Sequence, residues 1–212
     1  MIRLWKKRSW TGYMSHFGQK EKTMLPVMID VSGKQVTIVG GGRVAFRKLS
    51  VFYEQGARIT VISPEIVDEI KVLHEENKIS WIKREVGRED VRNAFIVIAA
   101  TNKRWVNEQV KRYSEENQLL CVVDDGDCGN MQMVSFTQKG TFTIAVSTGG
   151  ASPFLAKKLT NQLSQPFDDS FIEKLAIISS ERKDIKASDL PEKEKRKLLR
   201  ELSYKLEVIE NE

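Results

Sequence analysis

Lys34-Gln-Val-Thr-Ile-Val-Gly-Gly-Gly-Arg-Val-Ala-Phe-Arg-Lys48 is the stretch that decides the fold. Val36, Ile38 and Val39 read as a short buried strand. Gly40, Gly42 and Ala45 fill the three small-residue positions of G-x-G-x-x-A, and an amphipathic run from Val44 to Tyr53 follows, closed by Gly56. Strand, tight glycine turn and helix in this order are the signature of a dinucleotide-binding unit. The first glycine permits the turn, the second lets a pyrophosphate approach the backbone, and the small third residue lets helix and strand pack closely. Unpaired N–H groups at the helix N-terminus then face the phosphates. Gly40, Gly41, Gly42, Arg43 and Val44 are therefore expected beneath a pyrophosphate, with Ala45 as the small third residue.

The chain on either side continues the pattern. Val27–Asp30 reads as an edge strand and Ser32–Lys34 as a turn. Arg58–Ile62 is a second strand, and Ser63-Pro64-Glu65 follows it, where an acidic side chain often holds the ribose hydroxyls. Glu65 is the nearest acid, and no arginine stands immediately there to meet a 2′-phosphate, which favours NAD over NADP. Ile66–Asn77 reads as a helix, Ile79–Ile82 as a third strand and Phe95–Ala100 as a fourth, fully buried one. Thr101-Asn102 leads to a helix from about Val106 to Asn117. A fifth strand, Leu119–Val123, delivers Asp124 and Asp125 at its C-terminal end. Open parallel sheets bind ligands beyond the strand C-termini, so Gly40–Gly42, Ser63, Thr101 and Asp124 should face one cleft. Successive residues of an extended chain point to opposite sides, so only one of Asp124 and Asp125 should do so.

After Asp125 the periodicity changes. Phe136–Gly140 reads as a turn, and Thr141–Ser147 alternates as a strand. Thr148-Gly-Gly-Ala-Ser-Pro153 follows, with Ser152 a good N-cap and Pro153 a good first helical residue. A helix with Leu155, Leu159 and Leu163 at four-residue spacing comes next. This turn is either a second anion site or an ordinary capped helix start. Asp189-Leu-Pro-Glu192 resembles a capping box. Leu198, Leu202, Leu206 and Ile209 then make an apolar stripe that needs a partner, either the helix around Ile172–Ile178 or another subunit.

Composition sets the outer bounds. The 212 residues are 41% apolar, enough for a packed core. Cys121 and Cys128 make neither a disulfide framework nor a zinc pattern, so a reducing, cytoplasmic setting is expected. No apolar run reaches the roughly 18 residues of a membrane span. Residues 1–23 carry six basic side chains and one acidic, so the whole net charge of +5 sits there and the remainder is neutral. The body therefore offers no global electrostatic case for nucleic acid. Residues 1–23, with Trp5 and Trp10, read as a flexible basic extension upstream of a start at Met24. His16 and His74 have no metal-ligating neighbours in sequence, and no metal site is expected.

The motifs together carry a resemblance. Pro26–Lys34, Val39-Gly-Gly-Gly-Arg-Val-Ala-Phe-Arg-Lys48, Ala99-Ala-Thr-Asn102, Val122-Val-Asp-Asp125 and Ala145-Val-Ser-Thr-Gly-Gly-Ala-Ser-Pro153 resemble the siroheme synthase family, in family order, over about residues 25–165. The family includes precorrin-2 dehydrogenase and sirohydrochlorin ferrochelatase. The resemblance implies NAD-dependent oxidation of precorrin-2 to sirohydrochlorin, a homodimer, and in some members insertion of Fe²⁺. A chain of this length is not expected to carry the uroporphyrinogen methyltransferase module.

By the same resemblance Asp124 matches the family's catalytic aspartate, and Arg43, Val44, Pro64 and Glu65 match cofactor-contacting positions. Thr148 matches a position beside the substrate cleft, so Ser147, Thr148, Gly149, Gly150 and Ser152 are the expected substrate-binding turn, and Thr101 and Asn102 join the cofactor set. The chain departs from the family pattern at Cys121, where Asn is usual, at Gly126, where Pro is usual, and near Met133-Val134, where an aromatic-Pro pair is usual. The expected architecture is α/β. It comprises an extension (1–23), a Rossmann NAD-binding domain on a parallel sheet (24–124), a dimerisation and substrate-cleft region (125–150) and a helical C-terminal region (151–212). Competing readings are a non-catalytic Rossmann module that senses nucleotide or redox state through its helical tail, and a nucleic-acid binder acting through residues 1–23.

Overall fold

The computed structural model describes residues 24–126 and 128–204. The expectations for residues 1–23, Leu206 and Ile209 lie outside them. The chain divides into two compact units, the first ending at Met133 and the second beginning at Val134.

The first unit is a five-stranded parallel sheet. In chain order it runs β1 (Gln35–Val39), α1 (Arg43–Glu54), β2 (Arg58–Ile62), α2 (Asp68–Glu75), β3 (Ser80–Ile82), α3 (Arg88–Arg92), β4 (Ile96–Ala99), α4 (Arg104–Tyr113) and β5 (Leu119–Val122). The strand order is β3-β2-β1-β4-β5. This is the Rossmann arrangement, with its reversal between β1 and β4. In β4 all of Ile96, Val97, Ile98 and Ala99 are buried, as expected of a strand covered on both faces. One face packs under α1 through Ala45, Leu49 and Phe52, spaced to fall on one side of a helix. Leu49 is fully buried, which contributes about 1.5–3 kcal/mol.

The helix ends explain the crossovers. α1 stops where Gly56 adopts φ 75°. Gly56 N–H donates to the Tyr53 carbonyl and Ala57 N–H to that of Phe52, which is the Schellman pattern. Asn77, at φ 55°, ends the turn after α2 the same way, through His74 and Leu73. The expected helix Ile66–Asn77 is accordingly shorter at both ends.

Two elements of this unit differ from the sequence reading. Val27–Asp30 is not a strand, and Leu25, Val27 and Met28 are exposed. Both hydrogen-bonding sides of β1 are taken by β2 and β4, so the segment has no place beside it. The helix α3 was not anticipated, because its five residues hold one apolar side chain, Val91, and show no period. The expected boundary after Asp124 falls inside the unit. Asn130 and Met131 N–H groups return to the Leu120 carbonyl, which keeps residues 128–133 with the sheet.

The second unit holds β6 (Ser135–Lys139), β7 (Phe142–Val146), α5 (Pro153–Ser164), α6 (Asp169–Ala187) and α7 (Glu192–Tyr204). The expected turn Phe136–Gly140 is mostly the strand β6, paired antiparallel with β7 and closed by Gly140-Thr141. Ser-Phe-Thr-Gln-Lys carries one large apolar residue, so no alternation marked it. Phe142, Phe167 and Phe171 pack with ring centroids 4.6–5.1 Å apart. α7 begins at Glu192, two residues later than a capping box on Asp189 would start it. It packs on α6 and buries Leu202, so the preceding helix covers that part of the stripe.

Candidate active site

A cleft of about 820 Å³ runs along the C-terminal ends of all five strands of the first unit. Each strand contributes its outgoing loop: Gly40–Val44 after β1, Ser63–Val67 after β2, Arg84–Val86 after β3, Ala100–Lys103 after β4, and Val123 with Asp124 after β5. The expected cofactor residues Gly40, Gly41, Gly42, Arg43, Val44, Ser63, Pro64, Glu65, Thr101 and Asn102 all line it. Ala45 does not. It is fully buried on the inner face of α1, so it acts through helix–strand packing and offers nothing to a ligand.

The three glycines have separate reasons. Gly40 adopts φ 123°, and a Cβ there would overlap the Ala100 carbonyl at the end of β4. A Cβ on Gly41 would overlap the Glu65 carbonyl, while Val67 N–H donates to the Gly41 carbonyl at 2.8 Å. Gly42 is different. It is the N-cap of α1 at an ordinary φ of −86°, and a Cβ there meets nothing within 4 Å. The helix has no side-chain cap and no acidic residue in its first turn. Its first N–H groups therefore lack a local acceptor, and the partial positive charge of the N-terminus is not offset. A dinucleotide's phosphates fit this cradle.

Arg84 is a lining residue that the sequence reading missed, although it follows a strand end as Ser63 does. It makes a two-pronged ion pair with Asp90 of α3, Nη1–Oδ2 at 2.6 Å and Nη2–Oδ1 at 2.8 Å. Gly87 N–H donates to the same carboxylate at 2.6 Å. The Arg84 hydrogen bonds hold the Asp90 carboxyl below the usual carboxylate range, with burial opposing and the Gly87 N–H assisting.

At the other end of the cleft the two aspartates part. Asp124 lines the cleft, and its Oδ1 accepts from Asn107 Nδ2 at 2.8 Å. Asp125 turns away from it, and its Oδ2 accepts from Cys128 Sγ at 3.1 Å. That bond holds the Cys128 thiol above its ordinary range. Asn107 was also missed. An asparagine on an amphipathic helix reads as surface, and only the packing of α4 against the sheet buries it.

In the second unit Ser147, Thr148, Gly149, Gly150 and Ser152 form one turn before α5. Ser152 Oγ accepts from Leu155 N–H at 3.2 Å, the expected N-cap. Thr148 Oγ1 accepts from Ser152 N–H at 3.1 Å. Gly149 and Gly150 have φ 61° and 90°, conformations that favour glycine. Among the described residues no group of three or more His, Cys, Asp or Glu side chains forms a metal-binding cluster. No described helix is long and apolar enough to cross a membrane.

Comparison with known proteins agrees with this geometry. Residues 27–135 match the model of an NAD(P)-binding family. Precorrin-2 dehydrogenase of Bacillus subtilis (strain 168) is 40% identical over 149 residues, 70% of this chain and 92% of that protein. Precorrin-2 dehydrogenase of Priestia megaterium is 32% identical over 189 residues, 88% of this chain and 94% of that protein. The solved structure of SirC, a precorrin-2 dehydrogenase, is similar with a TM-score of 0.72 at 34% identity, covering 84% of this chain and 89% of that one. With a nucleotide cradle at the first strand and this similarity over most of its length, the chain belongs to the precorrin-2 dehydrogenase family.

Proposed function

We propose that the protein oxidises precorrin-2 to sirohydrochlorin with NAD⁺ on the route to siroheme. The observation that carries this reading is the single cleft joining the uncapped N-terminus of α1 to Asp124. NAD⁺, when bound, accepts the hydride that the macrocycle loses. The chain's own residues position the reactants and receive the accompanying proton. The open face of Gly42 and the first N–H groups of α1 hold the pyrophosphate. Ser63, Pro64 and Glu65 receive the ribose.

Asp124 is the proposed proton acceptor, so that one hydride and one proton leave the substrate together. Such base assistance is worth roughly 10²–10⁴-fold. The Ser147–Ser152 turn is the proposed contact for the macrocycle's carboxylates, supported by its open backbone. Insertion of Fe²⁺, a substrate here, would call on the same carboxylate to take the pyrrole protons.

A homodimer is the proposed assembly. Exposed Phe154, Leu155 and Leu163 on α5 support it. In this reading residues 125–150 contribute to the interface and to substrate binding. The free cysteines Cys121 and Cys128 support a cytoplasmic setting. The test is an anaerobic assay with precorrin-2 and NAD⁺, then Fe²⁺. NADH and sirohydrochlorin are expected in equal amounts. Absence of NADH would leave a nucleotide-sensing module as the reading, and iron uptake in the second phase would add ferrochelation.

A further inference from the structure

We propose that Asn107 is the positioning residue of the cleft, fixing the Asp124 carboxylate for proton transfer through a buried carboxamide. This rests on the reading of Asp124 as the proton acceptor.

Asn107 is 3% exposed, on the face of α4 turned toward the sheet. Its Nδ2 donates twice, to Asp124 Oδ1 at 2.8 Å and to the Thr101 carbonyl at 3.1 Å. Its Oδ1 accepts from the Thr101 hydroxyl at 2.8 Å. The orientation of the amide follows from chemistry. A backbone carbonyl and an ionised carboxylate only accept, so the NH₂ group must face both. The one hydroxyl in reach then meets the oxygen.

The consequence is a rigid link between two strand ends. Thr101 follows β4 and Asp124 follows β5, and one side chain ties the two. Asp124 is otherwise an exposed side chain at the end of an edge strand, free to change rotamer. Holding Oδ1 limits that freedom and leaves Oδ2 for the proton. An asparagine serves here because it offers two donors and an acceptor in one plane. Aspartate lacks the donors, and leucine lacks all three.

A purely structural role for Asn107, as a clamp on the Thr101 loop, makes a different prediction. That loop lines the cofactor cleft, so loosening it should weaken NAD⁺ binding regardless of Asp124. The experiment measures kcat for precorrin-2 oxidation and the NAD⁺ dissociation constant for Asn107→Leu, Asp124→Ala and the double variant. Misplacing a catalytic group slightly can cost up to roughly 10²-fold. Asn107→Leu is therefore expected to lower kcat by about tenfold or more, with NAD⁺ affinity within about threefold of the parent.

On the Asp124→Ala background the same change should lower kcat by less than about twofold, since coupled residues are non-additive. An unchanged kcat in Asn107→Leu overturns the proposal. So does a full, independent loss on the Asp124→Ala background. Full activity of Asp124→Ala would instead sink the proton-acceptor reading itself. If Asn107→Leu does not fold, Asn107→Asp and Asn107→Ser decide. The first keeps the shape without the donors, and the second is small enough to pack. Lost kcat with retained NAD⁺ binding supports the proposal, and retained kcat overturns it.

Discussion

The carbonyl of Glu65 occupies the space in which a side chain on Gly41 would begin. The loop after the second strand is thereby locked onto the turn after the first. One step further, Gly42 opens onto the cleft with nothing near it. Adjacent glycines thus answer to different requirements, one internal to the fold and one toward a ligand.

The two are separable by substitution. Gly41→Ala forces backbone against backbone and should destabilise the protein by about 1–3 kcal/mol, the usual cost of overpacking. Urea unfolding reads this directly. Gly42→Asp should leave stability unchanged or raised, because aspartate is a favourable N-cap. Its carboxylate takes the N–H groups meant for phosphate, so NAD⁺ affinity should fall by about two orders of magnitude or more, the loss of several charge-assisted hydrogen bonds. Retained NAD⁺ affinity in a folded Gly42→Asp protein would remove the pyrophosphate site from this turn.

Asp124→Ala should lower dehydrogenation by at least ~10²-fold, the low end for a lost acid–base group. NAD⁺ binding should persist. Asp125→Ala should cost far less, since Asp125 turns from the cleft to Cys128. Steady-state rates of the two variants compare them. The reverse ranking would place the chemistry on Asp125 and overturn the assignment of Asp124.

Asp90→Asn tests the Arg84 pair. Asp90 both receives Arg84 and caps the start of α3, so its loss should cost about 1–2 kcal/mol at pH 7. The pH dependence has a definite sign. A folded-state pKa lowered by Arg84 gives stability that is present above the unfolded carboxylate value, near 3.9. That stability is lost as pH falls through the lower folded value. The gap between parent and variant should therefore close on acidification through that range. Melting curves at neutral and acid pH check it, and a gap that stays constant argues against the ion pair. Freed from Asp90, Arg84 also becomes available to a 2′-phosphate, so the variant should use NADP⁺ better relative to NAD⁺ than the parent does.

Phe154→Glu should shift sedimentation toward a monomer. Phe154 is 81% exposed at the start of α5 and supports no core of its own unit. A parent protein that sediments as a monomer at micromolar concentration would refute the dimer before the variant is needed.

Local sequence was enough for the elements that carry a clear period or a glycine turn. The buried run of β1, the glycines of its turn and the spacing of Ala45, Leu49 and Phe52 announced strand, turn and helix. Repetition of that unit announced a parallel sheet. Because a parallel sheet gathers its strand C-termini on one edge, Gly40, Ser63, Thr101 and Asp124 could be placed in one cleft from order alone. What tertiary structure decided were the partners that come from distant positions. β6 became a strand because β7 lay beside it, while Val27–Asp30 found both sides of β1 taken. Leu202 was covered by α6, a choice the stripe alone left open. Arg84 met Asp90 across a loop, and Asn107 was buried only when α4 closed on the sheet. A hydrogen bond between side chains far apart in sequence leaves no period to read, so the pair that fixes Asp124 became visible only in the folded chain.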